Sequence, residues 1–327
     1  METKLPSLAS ATALSQVAVN LLRADDRRVA VIGAGGWIGR VLLAGMFQAL
    51  GAAEFDRRIM CFGSQERSIE FGLGGSVIQR PLDAIGKVAS EPTLAFHLAF
   101  LTKDKVAHMS EEAYAAANQN LSATVRNNLD AIGADRLFVA SSGAAAFAED
   151  PDAAADLRLY GRLKLADEQA FGAWAKNERG RRAVIARIFS LSGPFINKHD
   201  TYALASFILA ALRGSPIVVH APMPVIRGYV AIREMLSLVI AQLLAPQGEA
   251  LLSYDTGGDA LELGEVAARV AATLGGNVER GPIGDKPANK YVGDASGYYE
   301  HLRQFGIEHV PLTQQIVETA TTLESKG

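Results

Sequence analysis

Short apolar runs alternate along this chain with longer segments whose apolar residues recur at helical spacing. Arg28 to Ile32 is a β-branched run that ends in glycines, the pattern of a buried strand followed by a turn. Trp37 to Leu50 reads as a helix, Arg58 to Phe62 as a second strand, and Leu94 to Leu101 as a third apolar run. Glu111 to Ile132 is a long Ala-rich helix, and Arg136 to Ala140 is a strand ending in Ser141-Ser142-Gly143. Tyr160 to Lys176 reads as a helix and Arg182 to Phe189 as a strand. Strands alternating with helices predict an α/β fold with a doubly wound parallel sheet. Such sheets take ligands at the carboxyl ends of their strands, where the strand order reverses.

After Gly193-Pro194 the pattern changes. Helical stretches (Ala203 to Leu212, Arg233 to Leu244, Gly264 to Leu274) are separated by short runs such as Ile217 to His220. We expect residues 1–190 to form the large sheet domain and residues 191–327 a smaller mixed α/β lobe, with some segments interleaved. Leu14 to Leu22 is broken by Ser15, Gln16 and Asn20 and lacks a basic flank, so it reads as an extra N-terminal helix, not a signal peptide or membrane span.

Composition changes this picture little. Of 327 residues, 49% are hydrophobic, enough for a sizeable core, and a net charge of -3 points away from nucleic acid and anionic membrane surfaces. Cys61 is the single cysteine and lies in an apolar run, so no intrachain disulfide can form and a reducing cytoplasm is expected. No His/Cys/Asp cluster has zinc-site spacing, and Ser141-Ser142 lacks the Gly-x-Ser-x-Gly setting of a hydrolase nucleophile. No metal is expected.

The chemistry lies in two motifs. Ile32-Gly33-Ala34-Gly35-Gly36-Trp37-Ile38-Gly39 joins the first strand to its helix. Gly33 permits a tight turn, Gly36 lets backbone approach a pyrophosphate, and Gly39 allows close helix packing; the helix start at Trp37 and Ile38 offers free N–H groups. This is the dinucleotide-binding turn of a Rossmann sheet. The next strand normally ends in a carboxylate that holds the ribose of NAD; here it ends in Gly63-Ser64-Gln65-Glu66-Arg67. Ser64 and Arg67 suit a 2′-phosphate, so NADP is expected, with NAD as the alternative. Further on, Tyr160 and Lys164 share a helix face one turn apart. A phenol beside an ammonium is acidified, and can exchange a proton with a substrate oxygen while a hydride moves.

These features together resemble the extended short-chain dehydrogenases/reductases of the NAD-dependent epimerase/dehydratase type, over almost the whole chain. The glycine pattern, Phe96-His97-Leu98-Ala99, Ser141-Ser142, Tyr160/Lys164, Arg187-Ile188-Phe189 with Gly193-Pro194, and Arg227-Gly228-Tyr229-Val230 fall in the family's order. Asn120 matches its asparagine early in the long helix, and Asp294-Ala295-Ser296 a late signature. The resemblance implies that Tyr160 is the acid/base, Lys164 its partner and holder of the nicotinamide ribose, and Ser142 a hydrogen-bond donor to the reacting oxygen. It implies that Ala99, Phe100 and Leu101 line the cofactor, and that Arg227 meets a substrate phosphate.

Three departures bear on function. Aligned on Phe147, the hydroxyl position falls on Gly143; aligned on the serines, it falls on Ser142. The family's dehydratases carry an Asp-Glu pair just after the hydroxyl residue, whereas this chain has alanines there. Simple redox chemistry or epimerisation remains. Ser190 stands where nucleotide-sugar enzymes often have asparagine, which weakens the nucleotide part of that expectation. The leading expectation is an NADP-dependent reductase of a keto-sugar, nucleotide-linked by resemblance. The alternatives are an NAD-dependent nucleotide-sugar 4-epimerase and a non-catalytic NADP sensor. The family's long helices pair across a two-fold axis, so a homodimer is expected.

Overall fold

The computed structural model describes residues 4–102, 109–199 and 201–323. Two short helices, α1 (Leu8–Thr12) and α2 (Gln16–Ala24), precede β1 (Arg28–Ile32). Ser15 caps α2 with its side chain, while its own backbone N–H donates to Ser237 Oγ at 2.9 Å. The N-terminal segment is thereby tied to the later half of the chain. α3 (Trp37–Leu50), α4 (Ala52–Arg58) and β2 (Ile59–Gly63) follow. A hairpin then forms from β3 (Arg67–Gly72) and β4 (Gly75–Pro81). Its two-residue loop, Leu73-Gly74, has φ of 57° and 73°, the left-handed pair that matches strand twist in tight hairpins.

β5 (Thr93–His97) is shorter than the apolar run that announces it. Leu98 N still donates to Ile32 O at 2.9 Å, but β1 ends there and Gly33 turns away, so Ala99 to Leu101 lose their partner on the β1 side, and the pairing with β6 also stops at His97. α5 (Glu111–Leu129), β6 (Ala134–Ser142), α6 (Ala155–Lys176), β7 (Arg182–Ile188) and β8 (Ser190–Ser192) continue the alternation. The remainder comprises α7 (Ala203–Leu212), β9 (Ile217–Val219), β10 (Val225–Arg227), β11 (Tyr229–Ala231), α8 (Ile232–Leu244), β12 (Leu251–Asp255), β13 (Leu261–Glu262), α9 (Leu263–Leu274), β14 (Val278–Arg280), β15 (Asn289–Tyr291), α10 (Ala295–Gln304) and α11 (Leu312–Leu323).

The main sheet has eight strands in the order β12-β7-β6-β5-β1-β2-β4-β3. Every pair is parallel except β3 with β4. The order reverses between β1 and β5, so the crevice of the doubly wound sheet opens beside Gly33 and Leu98. One sheet face is covered by α2, α3 and α8, whose Leu22, Leu42 and Leu238 are fully buried with Val31 and Phe96. The other is covered by α5 and α6, through Val125, Leu129 and Phe171. β12 and α8 both follow residue 190 yet complete the large sheet and its cover. A separate apolar cluster joins α7, α9 and α11. Among the described residues, no helix is long and apolar enough to cross a membrane.

Candidate active site

The glycine turn is built by close approaches that only glycine permits. Gly33 has φ +92°, and a Cβ there would lie 2.7 Å from Ala99 N. A Cβ on Gly39 would lie 2.5 Å from Ala34 O, so this residue lets α3 press on the turn itself. Gly36 is the N-cap of α3 and supplies no side-chain hydrogen bond, which leaves the N–H groups of the first turn, at Trp37 and Ile38, for an external anion. Trp37 is anchored by its indole N–H, which donates to Pro194 O at 2.6 Å. Arg67, the first residue of β3, is exposed, and its guanidinium fills the space over Gly35, where a Cβ would meet it at 2.2 Å. Ser64 is exposed just past the tip of β2. The cradle fits a dinucleotide pyrophosphate, and it places a cation above the glycine turn in place of the usual strand-tip acid.

Residues 98–101 connect this turn to the tyrosine helix. Ala99 abuts Gly33, and Phe100 packs edge-on against Tyr160 with ring centroids 5.6 Å apart. Leu101 is held by the long helix: its N–H donates to Asn118 Oδ1 at 2.8 Å and its carbonyl accepts from Tyr114 Oη at 2.6 Å. The asparagine that performs this task is therefore buried Asn118; Asn120, matched to it by sequence, is exposed on the opposite side of the helix.

Tyr160, Lys164 and Ser142 do come together. Gly161 makes this possible, since a Cβ there would lie 2.2 Å from Ala144 O, and any larger residue would push α6 off the turn that follows β6. Lys164 is 5% exposed; its Nζ donates to Ala140 O at 2.9 Å and sits 3.7 Å from the centroid of the Phe100 ring. Burial lowers its ammonium to about 8, with Asp167 and Glu168 working in the opposite direction. Tyr160 behaves differently from the acidified phenol expected of this pairing. Burial raises its phenol well above the ordinary range, and a hydrogen bond with Ser142 only partly opposes that.

Ser142 closes β6 and caps the short 3-10 turn over Gly143–Phe147, accepting the Ala144 N–H at 3.2 Å. Gly143 cannot carry a hydroxyl in this arrangement, because a Cβ there would fall 2.4 Å from the Phe189 ring. Behind the site, buried Glu168 accepts Ser141 Oγ at 2.5 Å and a two-pronged contact from Arg187 at 2.7 and 2.9 Å. Lys164 and Glu168 lie one and two turns beyond Tyr160 on α6. His97 is packed, tilted against Phe171 at 5.0 Å, and burial drives it down to about 3. Among the described residues, no group of three His, Cys, Asp or Glu could hold a metal.

Arg227 reaches the site from β10. It donates to the Ile226 and Asn289 carbonyls, and its guanidinium lies 5.9 Å from the Tyr291 ring centroid. Tyr291, on the neighbouring β15, places its hydroxyl 3.2 Å from Ser142 Oγ. Sequence reading gave Tyr291, Asn118, Gly161 and Glu168 no role. Only the glycine directly after Tyr160 offered a local signal.

The doubly wound sheet, the glycine turn at its switch point and the Tyr-Lys helix beyond it define an extended short-chain dehydrogenase/reductase. The profile of the NAD dependent epimerase/dehydratase family matches residues 29–252, and the chain belongs to that family. No curated protein sequence matches it. Among solved structures, an epimerase of Methanothermobacter thermautotrophicus is similar at 17% identity and TM-score 0.68, over 95% of this chain and 96% of that one. The Thermus thermophilus UDP-glucose 4-epimerase, solved with NAD, is similar at 20% identity and TM-score 0.65, over 90% and 98%. The Thermotoga maritima UDP-glucose 4-epimerase, solved with UDP-glucose, is similar at 16% identity and TM-score 0.67, over 91% and 99%. At such identities the likeness is one of fold.

Proposed function

We propose that this protein is an NADP-dependent reductase of a nucleotide-linked keto-sugar. The observation that carries the reading is the junction of the two motifs: Ala99 touches the glycine turn, while its neighbour Phe100 touches both Tyr160 and Lys164. The nicotinamide, when bound, supplies the hydride. Tyr160, kept protonated by burial, delivers the proton to the carbonyl oxygen, and Ser142 donates a hydrogen bond to the same oxygen. Lys164 supplies a buried positive charge beside them and holds the nicotinamide ribose. Gly33, Gly36, Trp37, Ile38 and Gly39 hold the pyrophosphate; Ser64 and Arg67 take the 2′-phosphate; Ala99, Phe100 and Leu101 line the nicotinamide. Arg227 meets a substrate phosphate. Residues 191–327 supply most of the substrate lobe, and the protein works as a homodimer in the cytoplasm, where its lone buried thiol stays reduced.

Epimerisation with retained NAD is the second reading. The likeness to a UDP-glucose 4-epimerase solved with NAD favours it. Dehydration has less support, because Ala144 and Ala145 offer no acid or base after Ser142.

Calorimetric titration of cofactor-stripped protein with NADPH and NADH tests the reading first. Preference for NADPH, with NADPH consumed on adding UDP-linked 4-keto-hexoses and turnover abolished in Tyr160→Phe, is the expected result. Preference for NADH, with UDP-sugars interconverted and no net cofactor consumed, establishes the epimerase instead.

A further inference from the structure

Ser142 and Tyr291 lie 149 residues apart in sequence, yet their hydroxyl oxygens meet at 3.2 Å. The contact is built from both sides. Tyr291 pairs with Arg227 in the register of β15 on β10, which fixes its backbone. Its ring stacks on Phe147 at 5.9 Å and leans on Phe189 at 4.9 Å. Phe189 fits there because two glycines leave it room: a Cβ on Gly143 would lie 2.4 Å from its ring, and one on Gly293 would lie 2.9 Å away. Gly143, Phe189, Gly293 and Tyr291 thus form one packed unit with the hydroxyl of Ser142 at its edge.

The hydrogen-bond inventory of a serine gives this unit a consequence. A hydroxyl has one proton to donate and two lone pairs to accept with, and its hydrogen rotates to suit. One lone pair of Ser142 already takes the Ala144 N–H at 3.2 Å. If the Tyr291 phenol donates to the other, the serine's own proton points to neither: it is left for the Tyr160 hydroxyl, with which Ser142 also hydrogen-bonds, and, once substrate is seated, for the oxygen that Tyr160 serves.

We propose that Tyr291 is a positioning residue of the active site, whose phenol donates to Ser142 Oγ and so aims the serine proton at the reacting oxygen. This rests on the reading of Ser142 as the hydroxyl that meets the substrate. It assigns to the C-terminal lobe a direct part in ordering the chemistry, in addition to its part in holding substrate.

Tyr291→Phe keeps the ring and removes only the donor, so it separates positioning from packing. With NADPH and a UDP-linked 4-keto-hexose, kcat should fall about five- to tenfold, the size of one lost hydrogen bond. KM, the NADPH dissociation constant and the melting temperature should hardly move. In a Ser142→Ala background the same change should have no further effect, because Tyr291 acts through that serine. An unchanged kcat, or losses that multiply independently in the double variant, would overturn the assignment. If the wild type binds NADPH but reduces no such sugar, the functional reading fails instead. The crystal structure of the NADPH complex then decides on Tyr291 by itself: a phenol within hydrogen-bond distance of Ser142 Oγ upholds the assignment, and one turned away removes it.

Discussion

At the scale of single residues, the site depends on where a few charges and hydroxyls are held. Arg67 is exposed, but the space above Gly35 is filled by its guanidinium. Such a fork pairs charge to charge with a phosphate and gains much less from a bare ribose hydroxyl. Arg67→Ala should weaken NADPH binding by about 10- to 100-fold, the effect of losing charge-assisted hydrogen bonds, and leave NADH binding unchanged. Calorimetry with both cofactors measures this, and equal losses for the two would remove Arg67 from cofactor selection. Lys164 sets a pH limit. Burial places its ammonium near 8, so its charge is present below that pH and lost above it. The kcat/KM for NADPH-dependent reduction should therefore decline about tenfold per pH unit on the alkaline side. A profile flat to pH about 10 would show that the Lys164 charge is not required.

At the scale of elements, α6 carries the proposed catalytic face and its own anchor. Tyr160 and Lys164 face the site, and Glu168, one turn further, ties the helix to β6 through Ser141 and to β7 through Arg187. Removing one partner of a buried charge pair strands the other. Because Arg187 retains partial access to water, Glu168→Ala should cost about 2–3 kcal/mol rather than the full penalty, measured by urea unfolding. The loss should also weaken NADPH turnover, since the helix that presents Tyr160 loses its tie to the sheet. A stability change below about 0.5 kcal/mol would show that apolar packing of Phe171 and Trp174 holds α6 without the carboxylate.

At the scale of the whole molecule, the C-terminal segments are fastened to the sheet domain by a second buried carboxylate. Glu234, in the first turn of α8, accepts from His309 Nδ1 at 3.1 Å and from the backbone N–H of Val310, joining α8 to the connection between α10 and α11. Burial acts to lower His309, but its hydrogen bond to Glu234 and the charges of Glu234 and Asp259 prevail, and its value in the fold is raised. A raised histidine stabilises fully below its unfolded value near 6.5, and that contribution fades as pH climbs through the folded value. His309→Gln should therefore cost about 1–2 kcal/mol at pH 6 and clearly less at pH 9 in thermal melts; equal costs at both would mean that its charge is not used.

How much of this was legible from the sequence follows from the range of each interaction. The strand–turn–helix at Gly33, the Tyr160/Lys164 spacing and the alternation of strands and helices are set by neighbours a few residues apart, so periodicity and glycine placement determined them. The β3–β4 hairpin escaped because Leu73-Gly74 is not a typical left-handed turn pair and the strands are mostly polar on one side. The end of β5 at His97 was hidden because strand length depends on the partner, and β1 stops at Ile32. The sequence by itself determined the fold class, the family and the residue types able to bind a dinucleotide and move a proton. Only the tertiary structure decided that Asn118 holds Leu101, that the Phe189 ring fills the space beside Gly143, and that Tyr291 meets Ser142. Those contacts join segments far apart in the chain, and their selection depends on shape complementarity in three dimensions, which no local pattern encodes.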